Sequence, residues 1–402
     1  MKRSLHILCL MLTAGVPLNA SAKATAVDQN PEFTACLTRL QQQAIDQGFE
    51  PTLVDEVFAG IELKPGVITS DRSQPEFVQT FTEYYASHVT PWRIARGREL
   101  LEEHAALLQD IQQQTGVPPQ YIVAFWGLET NFGNYLGGEH TPSALATLAC
   151  DARRGAYFTR EFMAALSIIA NGDIPADQFN GSWAGAFGHM QFMPSTFVAH
   201  AVDADGDGRR DVLTSTRDAL FSGAHYLQSM GWQPGYRWGR EVLLPEGFDY
   251  STVSSAQTRP LSEWGVMGVT NTAGHPLPQL ELASAILVPM GHRGPAFLVY
   301  DNFKIIKNWN RSQSYALAVG RLADRVSGAG TLHRALPKVR FSTQDIKQLQ
   351  SGLQQLGFDA GKPDGIIGPA TRDAIRDYQL KTGLIADGFP SEELFAQIRD
   401  RG

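Results

Sequence analysis

The sequence is poor in cysteine and lacks long runs of a single charge. Its 402 residues contain three cysteines, carry a formal net charge of −7 and include no long basic tract. Without a basic patch, the chain lacks the electrostatic attraction that dominates nucleic-acid binding, so nucleic acid is not expected as a partner. A composition of 43% hydrophobic and 19% charged residues excludes fibrous and disordered classes and predicts two or three packed units.

Long apolar runs are also scarce near the start of the chain. The run Ile7–Val16 falls short of the roughly 20 residues that span a bilayer. Two basic residues precede it and a small-residue cleavage site ends at Ala22, a pattern typical of a signal peptide over residues 1–22. A lone membrane anchor is the alternative. Cys9 lacks the small residues that precede a lipidated cysteine, so we expect a soluble periplasmic or secreted protein that is not a lipoprotein and has no transmembrane segment in its mature chain.

Removal of the signal peptide would leave Cys36 and Cys150. An even pair in an oxidising compartment predicts one disulfide, and two unpaired buried thiols are the alternative. Two cysteines alone cannot complete a zinc site.

Most of the chain has a helical pattern. Apolar residues recur at helix spacing from Pro31 to Gln114, and again at Tyr121–Thr130, Thr159–Ala170 and Ser312–Val326. Between about residues 240 and 300, short strands are predicted among Gly and Pro turns at Glu241–Leu244, Val266–Val269, Leu280–Val288 and Ala296–Tyr300. The expected fold is therefore mainly α, of the α+β kind, with a small β-rich insertion in a body over residues 31–326.

A second unit follows this body. Residues 327–341 begin with Ser-Gly-Ala-Gly and have the composition of a linker. Residues 342–399 carry helical patterns at Asp345–Leu356 and Thr371–Thr382 around a loop rich in Gly and Pro. A domain this small has a thin core, and we expect it to bind rather than to catalyse.

Glu129 is the candidate catalytic acid. Pro118 and Pro119 suit the start of a helix and Gly133 suits its end, which places Glu129 in the last turn. The helix dipole and apolar neighbours such as Trp126 both disfavour a carboxylate there, so the pKa of Glu129 should be raised and the group can donate a proton near neutral pH. A helix-end glutamate held by an arginine is the alternative.

The segment Phe179–Phe197 mixes glycines, aromatic residues and amides. Glycines let a sugar ring approach the backbone, aromatic rings offer stacking surface, and Ser182 and Gln191 can fix hydroxyl or N-acetyl groups. A tight, packed loop is the alternative, and His189 is interpreted as packed rather than catalytic.

Together, Gly-Leu-Glu129-Thr-Asn-Phe-Gly, Gly-Ser182-Trp-Ala-Gly-Ala and Gln191-Phe-Met-Pro-Ser resemble the membrane-bound B-type lytic murein transglycosylases. The likeness runs over about residues 33–325 and implies a lysozyme-like helical catalytic domain in which Glu129 acts first as acid and then as base. It implies cleavage of the β-1,4 bond between N-acetylmuramic acid and N-acetylglucosamine in peptidoglycan strands, with the muramyl 6-hydroxyl closing a 1,6-anhydro ring. No cofactor is required for this lyase-type transfer.

The same resemblance implies which residues line the substrate cleft. Tyr84 and Tyr226 match aromatic residues of the family, and Asn308–Tyr315 resembles its Tyr/Trp-Asn-x-Ser stretch. Tryptophan at position 309 removes a hydroxyl group that some members have. Ordinary core packing is the alternative for each aromatic residue. The expected substrate-binding residues are Tyr84, Asn131, Ser182, Gln191, Tyr226, Trp309 and Tyr315.

An acidic loop begins at Asp203 with oxygen ligands at positions 1, 3 and 5 and glycine at position 6, as in EF-hand calcium loops. Position 12 is Thr214 rather than glutamate, and related transglycosylases imply Asp218 as the completing ligand. A plain acidic turn, in which Asp211 caps the next helix, is the alternative. The expected ligands of a structural Ca²⁺ are Asp203, Asp205, Asp207, the backbone of Arg209, and Asp218.

The tail, with Asp364-Gly-Ile-Ile-Gly-Pro-Ala-Thr371, resembles the small three-helix peptidoglycan-binding domains of wall enzymes. Tethering such a module raises the effective concentration of the enzyme at an insoluble substrate. Two rival functions remain. One is a hydrolytic muramidase, which needs a second carboxylate or a positioned water. The other is a non-catalytic wall-binding scaffold, with cell-wall synthases as candidate partners.

Overall fold

The computed structural model describes residues 30–72, 79–253 and 257–401. The segment assigned to a signal peptide, with Cys9, lies outside these residues. Within the described ranges, no helix combines the length and apolar character needed to cross a membrane. The helices are α1 (Pro31–Asp46), α2 (Pro51–Ala59), α3 (Pro65–Arg72), α4 (Phe81–His88), α5 (Pro91–Glu103), α6 (Ala105–Thr115), α7 (Pro119–Thr130), α8 (Thr141–Ala149), α9 (Gly155–Ala170), α10 (Pro194–His200), α11 (Thr216–Ser229), α12 (Leu261–Val266), α13 (Asp301–Asn310), α14 (Gln313–Val326), α15 (Thr343–Gln355), α16 (Pro369–Thr382) and α17 (Glu392–Arg401).

The strands are few and short. They are β1 (Glu139–His140), β2 (Asn180–Gly181), β3 (Gly239–Leu243), β4 (Arg259–Pro260), β5 (Thr270–Asn271), β6 (Ala283–Leu287) and β7 (Ala296–Val299). The mainly helical class expected from the sequence is thereby confirmed.

Helix α7 lies at the centre of the body. It is buried continuously from Tyr121 to Gly127, and α5, α6, α11 and α14 all pack against it. A helix that is apolar on every side must be surrounded by other elements, which explains why its sequence shows no polar face. Gly127 lets the ring of Phe132 approach, because a Cβ atom at residue 127 would lie 2.7 Å from Phe132. The chain just after α7 therefore folds back tightly on the helix itself.

The β-rich insertion is an antiparallel sheet with the strand order β4-β6-β7-β3-β5. In its register, Val242 pairs with Ala296 and Ile286 with Leu298. The strand expected at residues 266–269 is wrong. Leu261 and Trp264 bury one face of the helix α12, and Gly268, at a φ of 86°, turns the chain before β5.

The C-terminal helices α15, α16 and α17 enclose a separate core that includes Leu353, Ile375 and Leu394. The three-helix fold expected for the tail is thus present. This unit also contacts the insertion, since the buried carboxylate of Asp387 accepts the backbone N–H of His292 at 2.8 Å. The imidazole of His292 lies 2.6 Å from the same oxygen.

The segment between the two units is held along the body. Glu241 accepts the backbone N–H groups of His333 and Arg334 at 2.8 and 2.9 Å. Further along, Thr82 donates to the carbonyl of Pro337 at 2.8 Å. Residues 327–341 therefore have the composition of a linker, yet they are hydrogen-bonded to the body.

Candidate active site

The end of α7 places Glu129 at a sharp reversal of the chain. Three consecutive residues after the helix, Asn131, Phe132 and Gly133, have φ values of 55°, 62° and 79°. The backbone N–H of Phe132 donates to the carbonyl of Trp126 at 3.1 Å, which closes the helix end. Asparagine and glycine tolerate this left-handed conformation, whereas it is unfavourable for phenylalanine, so packing of the Phe132 ring must hold it there.

Glu129 has hydrogen-bond donors on its carboxyl group and little exposure to water. Tyr315 donates its hydroxyl to Oε1 of Glu129. The indole of Trp309 lies near the same carboxyl group and favours its charged form. Burial raises the pKa of Glu129 to about 7, although Tyr315 and Trp309 both favour the charged form and oppose that rise. Among the described residues, the donors on this group are therefore aromatic side chains, and the arginine-held alternative is not what the structure contains.

The sequence suggested that tryptophan at position 309 loses the hydroxyl group of a tyrosine, but the indole of Trp309 still offers a hydrogen-bond donor. Its indole N–H is a donor near the Glu129 carboxyl group, so the absence of a tyrosine hydroxyl does not leave this position without a donor. The ring also packs against Phe125, with centroids 4.6 Å apart. Trp309 therefore combines a polar contact to Glu129 with an apolar wall.

Aromatic rings continue this wall away from Glu129. The ring centroid of Tyr226 lies 5.1 Å from Trp309, and that of Phe192 lies 5.7 Å from Trp309. The ring centroid of Tyr315 lies 6.1 Å from that of Phe125. Phe125, Phe192 and Tyr315 are buried, so the partly exposed rings of Tyr226 and Trp309 are the ones that can meet the apolar face of a pyranose ring.

The glycine-rich loop is shaped by its own polar residues. Ser182 Oγ accepts the backbone N–H of Ala186 at 3.1 Å. Gln191, at a φ of 49°, donates from Nε2 to the carbonyls of Leu136 and Gly188, both at 3.1 Å. Gln191 thereby joins this loop to the segment that follows Glu129.

Tyr84 and Asn131 lie at the α4 and α7 sides of the site. The ring of Tyr84 stacks on His88 with centroids 3.9 Å apart. Asn131 Oδ1 accepts from Arg93 Nε at 3.2 Å, so its NH₂ group is the part that can face a ligand. Arg93 also donates to the carbonyl of His88 at 2.7 Å and thus ties α4 to the end of α7.

The acidic loop gathers three of its four expected carboxylates. One ligand oxygen from each of Asp203, Asp205 and Asp218 lies within 4.8 Å of the others. Asp207 is not a member of this group, and its Oδ2 lies 3.7 Å from Nη2 of Arg209. Asp218 is buried and accepts the backbone N–H groups of Ala204 and Asp211 at 2.9 Å each.

Asp211 forms a turn instead of a helix cap. Its Oδ1 accepts the backbone N–H groups of Leu213 and Thr214 at 2.9 Å each. The cap of α11 is Ser215, which accepts from the N–H of Asp218.

Cys36 and Cys150 are joined by a disulfide across 114 positions of sequence. Cys36 belongs to α1, and Cys150 caps the end of α8. The bond therefore attaches the first helix to the body.

Sequence reasoning missed two residues of the site. Phe192, part of the aromatic wall, directly follows Gln191 in the quoted motif, and that adjacency was a usable signal. Arg93, which orients Asn131, lies 38 positions away with no motif around it. A contact of that kind becomes visible only in the tertiary structure.

The fold and the site together define a class. A helical, lysozyme-like body holds one protonatable glutamate at a helix end among aromatic side chains, which is the arrangement of an enzyme that cleaves glycosidic bonds by acid and base catalysis.

Comparisons with known proteins identify the family within this class. Residues 32–324 match the family described as transglycosylase SLT domain, and residues 342–398 match a peptidoglycan binding domain family. The chain belongs to the transglycosylase SLT domain family and is a lytic transglycosylase with a C-terminal peptidoglycan binding domain.

Individual relatives agree with this assignment. Membrane-bound lytic murein transglycosylase B of Escherichia coli (strain K12) is 32% identical over 252 residues, which are 61% of this chain and 66% of that protein. SltB3 from Pseudomonas aeruginosa, in complex with NAG-NAM-pentapeptide, is similar with a TM-score of 0.89 and 42% identity, covering 92% of this chain and 100% of that one. Slt35 of Escherichia coli, in complex with calcium, has a TM-score of 0.61 and 26% identity, covering 74% and 93% of the two chains.

Proposed function

We propose that this chain cleaves the β-1,4 bond between N-acetylmuramic acid and N-acetylglucosamine in peptidoglycan and leaves 1,6-anhydromuramic acid ends. The observation that carries the proposal is the carboxyl group of Glu129, which accepts from Tyr315 and whose pKa is raised to about 7 by burial. A carboxylic acid that is still protonated near neutral pH can donate to a leaving oxygen, and its conjugate base can accept a proton in the next step.

The proposed reaction uses the same carboxyl group twice. Glu129 first donates its proton to the glycosidic oxygen as the bond to the muramyl anomeric carbon breaks and N-acetylglucosamine departs. The resulting carboxylate then takes the proton of the muramyl 6-hydroxyl while that oxygen bonds to the anomeric carbon. Tyr315 donates its hydroxyl to the carboxylate formed between the two steps, and the nearby indole of Trp309 also favours that charged form.

We assign the substrate-binding roles by position around Glu129. Tyr226 and Trp309 offer ring faces for the sugars, and Tyr84, mostly buried against His88, is assigned to the α4 side of the site. Asn131 offers an amide NH₂ group beside the acid. Ser182 and Gln191 shape the loop that faces N-acetyl or hydroxyl groups. Tyr315 is assigned to both the acid and the groove.

One experiment separates the proposed reaction from its rivals. Purified protein is incubated with sacculi, and the products are analysed by mass spectrometry. We expect 1,6-anhydro ends. Reducing ends would instead identify a hydrolytic muramidase, and retention on sacculi without any product would identify a scaffold. Binding of cell-wall synthases is a separate prediction that a pull-down with purified synthases would test.

We also infer a structural Ca²⁺ in the acidic loop. The carboxylates of Asp203, Asp205 and Asp218 are hard oxygen donors whose atoms converge within 4.8 Å, which suits this ion. Asp207 and the backbone carbonyl of Arg209 are proposed as further ligands from their positions in the loop motif. The ion would fix the loop and take no part in the proton transfers. Slt35 in complex with calcium is a relative that supports this inference.

We propose that catalysis and wall binding belong to separate domains. Residues 31–326 form the catalytic body, with the β-rich insertion at about 240–300, residues 327–341 connect, and residues 342–399 bind the wall. The separate hydrophobic core of α15, α16 and α17 supports this division.

We propose that the protein is exported to the periplasm by the signal peptide at residues 1–22 and is not a lipoprotein. The substrate lies in that compartment, and the paired Cys36 and Cys150 suit its oxidising conditions. Sequencing the N-terminus of the exported protein tests this, with a start near Lys23 expected. A start at a lipid-modified Cys9 would contradict the proposal.

A further inference from the structure

His189 lies outside the proposed chemistry, yet its contacts converge on the helix end that carries Glu129. Trp126, three residues before Glu129, donates its indole N–H to His189 Nδ1 at 2.9 Å. Thr130, the residue after Glu129, donates its hydroxyl to the carbonyl of His189 at 2.9 Å. The last turn of α7 is therefore bonded to one residue of the glycine-rich loop on both sides of the acid.

These contacts fix the tautomer of the His189 ring. Because Nδ1 accepts from Trp126, the proton of the neutral ring lies on Nε2. The backbone of Leu213 lies near the ring and raises its pKa, as an acceptor for the remaining ring N–H would. Burial lowers the pKa of His189, which favours the neutral ring that an accepting Nδ1 requires.

The backbone around His189 completes the connection. The N–H of His189 donates to the carbonyl of Val212 at 3.0 Å. At residue 133, a Cβ atom would lie 2.4 Å from Cε1 of His189, so Gly133 of the Glu129 motif is required by this ring. His189 thus joins the end of α7, the loop of Gln191, and the chain leading from the acidic loop into α11.

We propose that His189 is a positioning residue for the glycosidic-bond cleavage: its neutral Nε2–H ring clamps Trp126 and the end of α7 so that Glu129 is held in line with the bond it protonates. This inference rests on the proposed function. The clamp touches neither Glu129 nor the groove directly, so it acts on the geometry of the acid more than on sugar binding.

The test compares three single variants with the wild type on soluble glycan fragments. His189→Leu removes the acceptor for Trp126, and Trp126→Phe removes the donor while keeping an aromatic ring. We expect each to lower kcat roughly five- to tenfold with KM within about twofold, as the loss of one positioning hydrogen bond predicts. His189→Asn keeps an acceptor close to the position of Nδ1 and should recover most of the activity.

A double variant makes the test independent of folding losses. If the two side chains act through their shared hydrogen bond, the effects of His189→Leu and Trp126→Phe on kcat are not additive. Thermal unfolding is measured for all variants at the assay pH. Wild-type kcat in His189→Leu, fully additive effects, or a loss confined to KM would overturn the inference. Failure of the wild type to release 1,6-anhydro products would overturn the proposed function instead, so the two failures are distinguishable.

Discussion

At the scale of single residues, the protonation of Glu129 follows from a competition that burial wins. The hydroxyl of Tyr315 and the nearby indole of Trp309 both favour the carboxylate, yet its pKa is about 7 because burial removes water from the charged form. The same donors stabilise the carboxylate after the first proton transfer, until it accepts the proton of the muramyl hydroxyl.

Replacing Glu129 by Gln keeps the shape of the side chain and removes its titration. We expect turnover to fall by at least roughly 10²-fold, the lower end of a general acid–base contribution, while glycan binding survives. Release of 1,6-anhydro products is the measurement. A folded Glu129→Gln protein with near wild-type turnover would refute the assignment.

The raised pKa of Glu129 can be tested by comparing how the stability of the wild type and of Glu129→Gln depends on pH. A carboxyl group whose pKa rises from 4.5 to about 7 on folding contributes stability that is complete below pH 4.5 and is lost as the pH rises through 7. The Glu129→Gln variant lacks this loss. The Tm of the variant minus the Tm of the wild type should therefore increase from pH 4 to pH 8. Parallel Tm curves across that range would mean that the pKa is not raised.

Tyr315→Phe removes a hydrogen bond that favours the charged carboxylate, so the pKa of Glu129 should rise further. Because the reaction begins with the protonated acid, activity falls as the pH passes this pKa. We therefore expect the alkaline limb of the kcat/KM profile to move to higher pH in this variant, with a lower maximum. An unmoved limb would show that another group controls it. Tyr236→Phe, at an exposed tyrosine, is the matched control.

At the scale of elements, the acidic loop before α11 is where Ca²⁺ should change the stability of the protein. Wild-type Tm should rise with Ca²⁺ in chelator-treated protein, by the equivalent of about 2.7 kcal/mol at a hundredfold excess over Kd. Asp205→Asn should reduce this rise strongly, because Asp205 belongs to the converging group of carboxylates. Asp207→Asn, outside that group, should reduce it less. No shift in the wild type would favour a plain acidic turn.

At the scale of the whole molecule, the disulfide and the C-terminal unit both fix distant parts of the chain to the body. The bond between Cys36 and Cys150 spans 114 positions, and closing a loop of that length stabilises the folded state by about 2 to 5 kcal/mol. We expect no free thiols in the non-reduced, denatured mature protein and a lower Tm for Cys36→Ser/Cys150→Ser. Two titratable thiols would contradict the pairing.

Deleting the chain from Ser342 onward should leave cleavage of soluble glycan fragments within about twofold and weaken retention on sacculi at least tenfold, since avidity from a tethered module is lost. The connecting segment is kept because Glu241 holds it. A modest fall in Tm is expected as well, because the deletion uncovers the His292 surface that Asp387 covers. Retention is measured with Glu129→Gln proteins so that the sacculi stay intact. Loss of soluble-substrate turnover in a folded truncated body would contradict this division of labour.

The sequence by itself determined the helical class, the helix that carries Glu129, and the pattern of the acidic loop. These are local properties: proline at a helix start, periodic apolar residues, and glycine or asparagine where the chain reverses. Where local preference was weak, as at residues 266–269, the sequence predicted a strand in place of the turn that tertiary packing imposes around Trp264.

Only the tertiary structure decided what surrounds those local features. Tyr315 reaches Glu129 across 186 positions of sequence, Arg93 reaches Asn131 across 38, and His189 reaches Trp126 across 63. The tertiary structure also leaves Asp207 outside the group of converging carboxylates, and it brings Asp387 of the C-terminal unit into contact with His292. Contacts of this kind depend on how whole helices pack against each other, and no spacing within a single segment encodes them.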